Sequence, residues 1–332
     1  MIELRSNRLA FTFPDIHPDA RCAIDFQRTL RIPDDNNAYP LPPGLGRFPV
    51  LHVDDYANKV PPTWQQHGGV FIPMYQSEAL WINFHGEYPC AIKIAAGKIN
   101  AVDGNSWSRD LSEAKQDYVV IPEQPWLDGF NVTEDYIRQF VAMPLGEGFS
   151  AEEQLTGKAE HGGLQLLVYP MKSEHYEKLV AERENIEVNG LDYFMSASDL
   201  PRSDDFEMGL APGGLMEQKI YDDPHGYDAW DLEHGQRCFV HLVNSSTFTQ
   251  ITGALPPQAP VTAADYTEAG LPWFDYYADA KPVKGSATLA SLDSVGAKII
   301  HKTGKPLVDN TSPKPVNINH LGPKSVIRQG KF

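Results

Sequence analysis

Proline is the feature that most restricts what this chain can fold into. The 332 residues include 27 prolines, and some fall in clusters such as Pro40, Pro42 and Pro43. Proline removes a backbone donor and fixes φ, so it is disfavoured inside helices and central strands. Aromatic residues make up 11% of the chain, and long runs with helical periodicity are few. This combination predicts short strands joined by rigid, ordered loops.

Apolar and polar residues alternate along several segments in the manner of strands. The pattern over residues 2–30 predicts two antiparallel strands, and further strands are predicted at residues 70–74 and 238–243. Helical spacing is clearest at residues 173–184, and a capped helix is also predicted over residues 133–142. We therefore predict an α+β, β-dominated fold with antiparallel sheets in a sandwich-like arrangement, a few short peripheral helices and an extended C-terminal arm.

Charge divides the chain into two parts. Residues 1–300 carry 22 basic and 43 acidic side chains, a net charge of −21, whereas residues 301–332 carry six basic side chains and one acidic side chain, a net charge of +5. We expect a single compact β-rich body over residues 1–300, with a subdivision near residues 125–130 left open, and a separate Pro-containing arm at residues 301–332. Opposite charges predict that the arm lies on its own body or on a second copy, which would be self-association; a solvated terminus is the alternative.

Composition also bears on partners and compartment. An acidic body lacks the surplus of lysine and arginine that binds a phosphate backbone, which argues against a nucleic-acid partner. No apolar run approaches the roughly 18 residues of a membrane helix, so no membrane partner is expected. Charged residues occupy the positions where a signal peptide has its apolar core, and the three cysteines (Cys22, Cys90 and Cys238) are widely spaced. We therefore expect a soluble cytoplasmic protein with reduced thiols.

Residues 221–234, the acidic loop, hold the densest set of side chains that could bind a metal. Seven of them are acidic residues or histidines: Asp222, Asp223, His225, Asp228, Asp231, Glu233 and His234. Pro224 and Gly226 would let the loop turn several oxygens inward around a hard divalent cation, which is the one cofactor that the sequence suggests. The candidate metal ligands are Asp222, Asp223, His225, Asp228 and Asp231.

The acidic loop is also the candidate catalytic site. Crowded carboxylates raise one another's pKa, which is the condition for acid–base catalysis near neutral pH. On that ground the candidate catalytic residues are Asp223, Asp228 and His234. The spacing matches no calcium-binding loop, and a structural or solvated acidic loop is the alternative interpretation.

Two tryptophans next to prolines and acids suggest a ligand platform. Trp126 lies two residues before Asp128, and Trp273 follows Pro272. An aromatic ring beside a hydrogen-bonding side chain is how sugars are held, with the apolar face stacked and the hydroxyls bonded at the edge. The candidate ligand-binding residues are therefore Trp126, Asp128 and Trp273. The alternative is that each tryptophan anchors its loop onto the core.

The sequence His-Gly-Gly occurs twice, at residues 67–69 and 161–163, and each copy precedes a predicted strand that ends in Pro-Met. Paired glycines let a chain turn sharply into a strand, so the repeat predicts two such turns, and a true duplication stays open. The chain contains no Gly-x-Ser-x-Gly motif, so these turns do not indicate an α/β-hydrolase.

Two functional classes remain open from the sequence. The leading hypothesis is a non-enzymatic binding or assembly protein that acts through its surface and its C-terminal arm. The alternative is a metal-assisted hydrolase or carbohydrate-active enzyme that uses the acidic loop. Phosphate-binding loops and dinucleotide fingerprints are missing from the sequence, so neither hypothesis includes a nucleotide cofactor of those kinds.

Overall fold

A computed structural model describes residues 1–183, 206–276, 280–307 and 310–321. The strands in this part of the chain are β1 (Ile2–Arg5), β2 (Arg8–Thr12), β3 (Arg21–Thr29), β4 (Ala38–Tyr39), β5 (Gly44–Arg47), β6 (Leu51–His52), β7 (Val70–Met74), β8 (Ala79–His85), β9 (Cys90–Ala96), β10 (Ile99–Asn100), β11 (Val119–Ile121), β12 (Trp126–Leu127), β13 (Gly129–Asn131), β14 (Tyr136–Pro144), β15 (Leu164–Pro170), β16 (Met208–Glu217), β17 (Gln236–Asn244), β18 (Trp273–Tyr276) and β19 (Ile318–Leu321). The helices are α1 (Pro62–His67), α2 (Ala151–Thr156), α3 (Ser173–Arg183), α4 (Ser245–Thr252), α5 (Ala263–Glu268), α6 (Ala287–Ala290) and α7 (Val295–Thr303).

The strands form two large sheets and one small pair. The first sheet has the order β1-β2-β3-β8-β14-β16-β4, with β5, β12 and β13 attached to β3, β8 and β14. The second has the order β10-β9-β15-β17-β7-β6, with β11 attached to β9. Neighbouring strands are antiparallel except in the pairs β16–β4 and β17–β7, which are parallel, as is the separate pair β18–β19. The predicted β-dominated, mainly antiparallel fold is confirmed.

The two large sheets share one apolar core. Ile24 and Phe26 from β3 belong to the same buried cluster as Ile94 from β9 and Val240 from β17. Alternation along a strand sends every second side chain to the other face, and the other faces carry smaller buried clusters of their own, such as Phe71 with Val243 and Val141 with Ala211. Sandwich-like packing of this kind supports a site on an outer face without disturbing the core.

Local sequence signals explain several helix boundaries. Ser150 and Glu153 form the capping box that starts α2, each side chain bonded to the backbone of the other. The helix predicted over residues 133–142 is wrong, because β14 occupies most of that stretch in the centre of the first sheet. Thr133 accepts the backbone N–H of Tyr136 in a turn instead of capping a helix. β-Branched and aromatic residues in this stretch favour the strand once neighbours pair with it.

The described part of the predicted arm, residues 301–307 and 310–321, contacts the body at several points. Lys302 pairs with the Glu147 carboxylate at 2.8 Å, and the Asn310 side chain donates to the Asp34 carbonyl at 3.0 Å. β19 adds itself to β18 as a parallel neighbour. Residues 308–309 and 322–332 of the predicted arm lie outside the described residues. None of the described helices combines the length and apolarity needed to cross a membrane.

Candidate functional site

Asp223 of the acidic loop accepts hydrogen bonds from its own loop and from Tyr118 outside it. One carboxylate oxygen accepts the Tyr118 hydroxyl at 2.7 Å and the Trp230 indole N–H at 2.8 Å. The other accepts the backbone N–H groups of His225 at 2.8 Å and Gly226 at 3.1 Å. Four donors occupy this carboxylate, so its geometry is that of a residue that shapes the loop.

The other predicted site residues of the acidic loop do not converge. They form separate pairs: Asp222 with Lys281, His225 with Glu123, and Asp231 with His234. The bond to Asp231 raises the pKa of His234, and Asp228 is exposed. Within the described residues, no three side chains of His, Cys, Asp or Glu are grouped so as to hold a metal ion. The metal and acid–base hypotheses for this loop stay predictions without a convergent set of ligands behind them.

The predicted aromatic platform is mostly interior. Trp273 is fully buried, and its indole N–H donates to the Thr267 hydroxyl at 2.9 Å. Trp126 is half-buried beside a cavity of about 10 Å³, which has room for roughly one water molecule and not for a sugar ring. Asp128 is buried, receives the Gln218 amide at 2.6 Å, and has its pKa raised by burial to about 7.

A larger cleft lies where the two His-Gly-Gly turns meet. β17 pairs on one side with β15 and on the other with β7. Leu164, the first residue of β15, and Val70, the first residue of β7, both stand opposite Val240. β7 runs parallel to β17 and β15 runs antiparallel to it, so the two strands leave this point in opposite directions. Residues 67–69 and 161–163 therefore reach β17 from its two sides.

Glycine is required at the last position of each turn. Gly69 has φ of +84° and Gly163 has φ of +78°, in the left-handed region that glycine favours. A Cβ at Gly69 would overlap the carbonyl oxygen of Phe239, and one at Gly163 would overlap the carbonyl oxygen of Val240. The paired glycines thus let each turn pass directly over the β17 backbone.

The imidazoles carried by the two turns come together on the outer face of the second sheet. The ring centres of His67 and His161 are 5.3 Å apart. His67 stacks on Phe239 at 4.6 Å, and the Arg237 guanidinium lies 4.8 Å from the centre of the same phenyl ring. The cleft has a volume of about 360 Å³, and we call it the histidine cleft. Its lining residues are His67, Lys98, Ser106, Trp107, Thr156, His161, Gln165, Arg237 and Phe239.

A third imidazole supports the cleft from behind. His241 is buried, stacks on Trp64 at 4.5 Å, and its Nε2 lies 3.0 Å from the Gly68 carbonyl oxygen. Burial lowers the pKa of His241 to about 4, so the ring is neutral at neutral pH and donates this hydrogen bond. That bond ties β17 to the first His-Gly-Gly turn.

Positive charge surrounds the two front imidazoles. Burial, then the charges of Arg237 and Lys98, lowers the pKa of His67. Burial, then Lys98 and His67, lowers the pKa of His161. Lys98 is paired with Glu160 at 2.5 Å. Arg237 is exposed and pairs with no carboxylate among the residues that the structure describes. Both imidazoles are therefore neutral at neutral pH and stand next to cations.

Glu152 fixes the second turn. The side chain accepts the backbone N–H of His161 at 3.2 Å and packs against Gly97, where a Cβ would collide with it. Burial raises the pKa of Glu152 to about 7, so this carboxyl is part neutral at neutral pH. It adds less negative charge to the cleft than its position would suggest.

Sequence reasoning located both His-Gly-Gly turns but did not bring them together, and it missed Lys98, Arg237, Phe239 and Trp107. The strand predicted at residues 238–243 carries one of these side chains, Phe239, which is only half-buried in the structure. The available signal was the charged Arg237 two residues before Phe239 on the same strand face. In comparisons with protein-family models, curated proteins and solved structures, nothing matched this chain.

Proposed function

We propose that this chain is a binding protein whose histidine cleft holds a small organic anion with a flat apolar part. The observation that carries the proposal is a cleft of about 360 Å³ in which two cations lie beside aromatic rings. Small-molecule sites are clefts of roughly 300 to 1,000 Å³ with apolar walls and a few directed polar groups. We therefore propose the histidine cleft as the site of the binding function.

The charge of the cleft is opposite to that of the body around it. Residues 1–300 carry a net charge of −21, yet the cleft presents Arg237 and Lys98. A guanidinium offers a planar set of donors that matches carboxylate, sulfonate or phosphate oxygens in two-point contacts. Since Lys98 already faces Glu160, Arg237 supplies the charge that remains to be balanced. One negative charge on the ligand balances it.

The walls of the cleft favour a ligand with a ring. Phe239 and Trp107 provide aromatic surface, which attracts a flat apolar group through burial and ring contacts. Ser106, Thr156 and Gln165 add short polar groups. The Gln165 amide N–H₂ already donates to the Gly97 carbonyl at 2.7 Å, which leaves the amide oxygen to accept a bond from the ligand.

Isothermal titration calorimetry with three probes tests this proposal. 1-Naphthalenesulfonate combines a flat ring with one negative charge, 1-naphthalenemethanol keeps the ring alone, and sulfate keeps the anion alone. We expect the sulfonate to bind at least about tenfold more tightly than either part, and Arg237→Gln to remove about tenfold or more of that affinity. Arg47→Gln is the matched control, because Arg47 lies on β5 of the first sheet. Equal affinity in wild type and Arg237→Gln would refute the proposal.

Assembly through the arm is a second proposal, supported by exposed apolar residues. Val316, Ile318 and Leu321 are 86%, 41% and 42% exposed, and the last two lie on β19, whose other edge is unpaired within the described residues. An unpaired edge with apolar side chains is a template for another strand. We therefore propose that β19 pairs with a second copy of this chain, which mass measurements on a shortened chain can test.

A further inference from the structure

We infer that Lys93 determines the preference of the histidine cleft for ligands with a ring, because it holds Trp107 in place as the wall that meets that ring. The inference rests on the proposed binding of an organic anion in the cleft and adds the residue that sets its specificity. Lys93 lies on β9 and does not line the cleft itself. It is therefore a positioning residue that acts through Trp107.

The register of the second sheet places Lys93 beside the cleft. Leu167 of β15 stands opposite Lys93 on one side and opposite Arg237 on the other. Residues directly opposite one another on neighbouring antiparallel strands have their side chains on the same face. Lys93 and Arg237 therefore project from the same outer face, in one row across the sheet, with β15 between them.

Lys93 is buried although it projects from this outer face. Its exposed fraction is 1%, because residues 105–117, the covering loop, lie over it. The ammonium donates to Ser108 Oγ at 2.9 Å and to the Asp110 carbonyl oxygen, and it pairs with Asp117 Oδ2 at 2.6 Å. An ammonium has three N–H donors, and the covering loop supplies an acceptor for each of them.

The covering loop is organised around this buried charge. It lies between β10 and β11 and contains no helix or strand of its own. The three acceptors of Lys93 are spread from Ser108 to Asp117, so one ammonium joins distant parts of the loop. A buried charge that loses its partners is strongly unfavourable, and the loop therefore stays closed over Lys93.

The covering loop carries Trp107 to the cleft. The Trp107 backbone N–H donates to the Lys98 carbonyl at 2.8 Å, and the ring centre lies 5.7 Å from the Lys93 nitrogen in a cation–π contact. The indole N–H of Trp107 is buried and has no acceptor among the described residues. A buried donor without a partner is unfavourable, so the indole does not favour this position by itself. The contacts that Lys93 makes with Trp107 and with Ser108 hold the ring there.

The ring and the charge of a ligand are thus recognised by different residues. Trp107 supplies ring contact, and Arg237 supplies charge contact. Loss of Lys93 releases Trp107, which weakens every ligand that has a ring, whether charged or neutral, and spares an anion that has none. A lysine that acted through its own charge would do the opposite, because it would weaken anions and spare a neutral ring.

Lys93→Met separates these two cases with the three probes 1-naphthalenesulfonate, 1-naphthalenemethanol and sulfate. We expect the variant to lose about tenfold or more in affinity for both naphthalene probes in calorimetry and to keep sulfate affinity, measured by competition with the sulfonate, within about threefold. Trp107→Leu should reproduce this pattern. In the Trp107→Leu background, Lys93→Met should change the affinity for the sulfonate by less than about threefold, because both changes remove the same contact. Lys219→Met is the matched control, because Lys219 pairs with Asp135 next to β14 of the first sheet.

The outcomes separate this inference from the proposed function. If Lys93→Met binds both naphthalene probes as wild type does, the binding function stands and the inference is overturned. A loss for sulfate as large as that for the sulfonate would also overturn it, as would a loss that adds in full to that of Trp107→Leu. If wild type binds none of the probes, the proposed function falls and this inference falls with it. Lys93→Met/Asp117→Asn, which removes both buried charges together, replaces Lys93→Met if the single variant does not fold.

Discussion

Replacement of Asp128 by asparagine offers a direct measurement of a buried charge. Asp128 lies between β12 and β13 with 3% of its surface exposed. Gln218 forms two hydrogen bonds with Asp128. The Gln218 amide nitrogen donates to the Asp128 carboxyl at 2.6 Å, and the Gln218 amide oxygen accepts the Asp128 backbone N–H at 2.9 Å. Burial, opposed by the hydrogen bonds from Gln218 and Trp126, raises the pKa of Asp128 from 3.8 to about 7. The folded protein therefore holds a proton that the unfolded chain releases.

The sign and size of the effect follow from this difference. The stability that the protonated carboxyl contributes is fully present below pH 3.8, decreases as the pH rises, and is lost once the pH passes about 7. At roughly 1.4 kcal/mol per unit of pKa, the gap corresponds to about 4 kcal/mol of unfolding free energy. Asparagine does not titrate, so the unfolding free energy of Asp128→Asn should lack this contribution to its pH dependence. Any hydrogen bond that asparagine cannot make changes the unfolding free energy by an amount that does not vary with pH.

Guanidinium denaturation of wild type and Asp128→Asn, at half-unit steps from pH 4 to pH 8, measures the slope. From pH 4 to pH 8, we expect the unfolding free energy of Asp128→Asn to rise by about 4 kcal/mol relative to that of wild type. Asp15→Asn is the control, because Asp15 is exposed, and its curve should run parallel to that of wild type. A free-energy difference between Asp128→Asn and wild type that stays flat across the range would refute a raised pKa at this site.

Three further predictions concern the turns, the acidic loop and the arm. Gly163→Ala should lose at least about 2 kcal/mol of stability relative to Gly146→Ala in thermal unfolding, because only the former places a Cβ against backbone; equal losses would contradict the close approach to β17. Asp223→Ala should lower the unfolding free energy by about 2 to 4 kcal/mol, since four donors lose their acceptor. The loss should be the same in EDTA, whereas a loss that depends on calcium or magnesium would support the metal hypothesis. Removal of residues 310–332 should reduce the mass measured by light scattering at high concentration, and a mass unchanged apart from the missing residues would exclude assembly through β19.

Elements with strong local signals could be predicted from the sequence. The strand predicted at residues 70–74 agrees with the structure, as does the helix predicted over residues 173–184 as far as residue 183; residue 184 lies outside the described residues. Residues 133–142 were mispredicted because a threonine followed by mixed apolar residues suits either a capped helix or a strand. Pairing with β16 and β8 decides between the two. The local sequence pattern does not identify strand partners that are distant along the chain.

The site was harder to predict because closeness in sequence and closeness in space differ here. The acidic loop concentrates its ionisable groups within 14 residues, yet their side chains point to separate partners. His67 and His161 stand 94 residues apart and meet only because Val70 and Leu164 share one register position on β17. Register of that kind depends on strand pairing across the whole sheet.

The meeting of β7 and β15 at Val240 has a consequence for symmetry. One strand leaves Val240 on one side of β17 and the other leaves on the opposite side, in opposite directions. A rotation of 180° about an axis through Val240, normal to the sheet, therefore carries one His-Gly-Gly turn onto the other. β17 itself does not follow this local two-fold symmetry, because the rotation would reverse the direction of its chain. The two imidazoles occupy related positions and differ in their neighbours, so replacement of Arg237 by an uncharged residue is expected to raise the pKa of His67 more than that of His161.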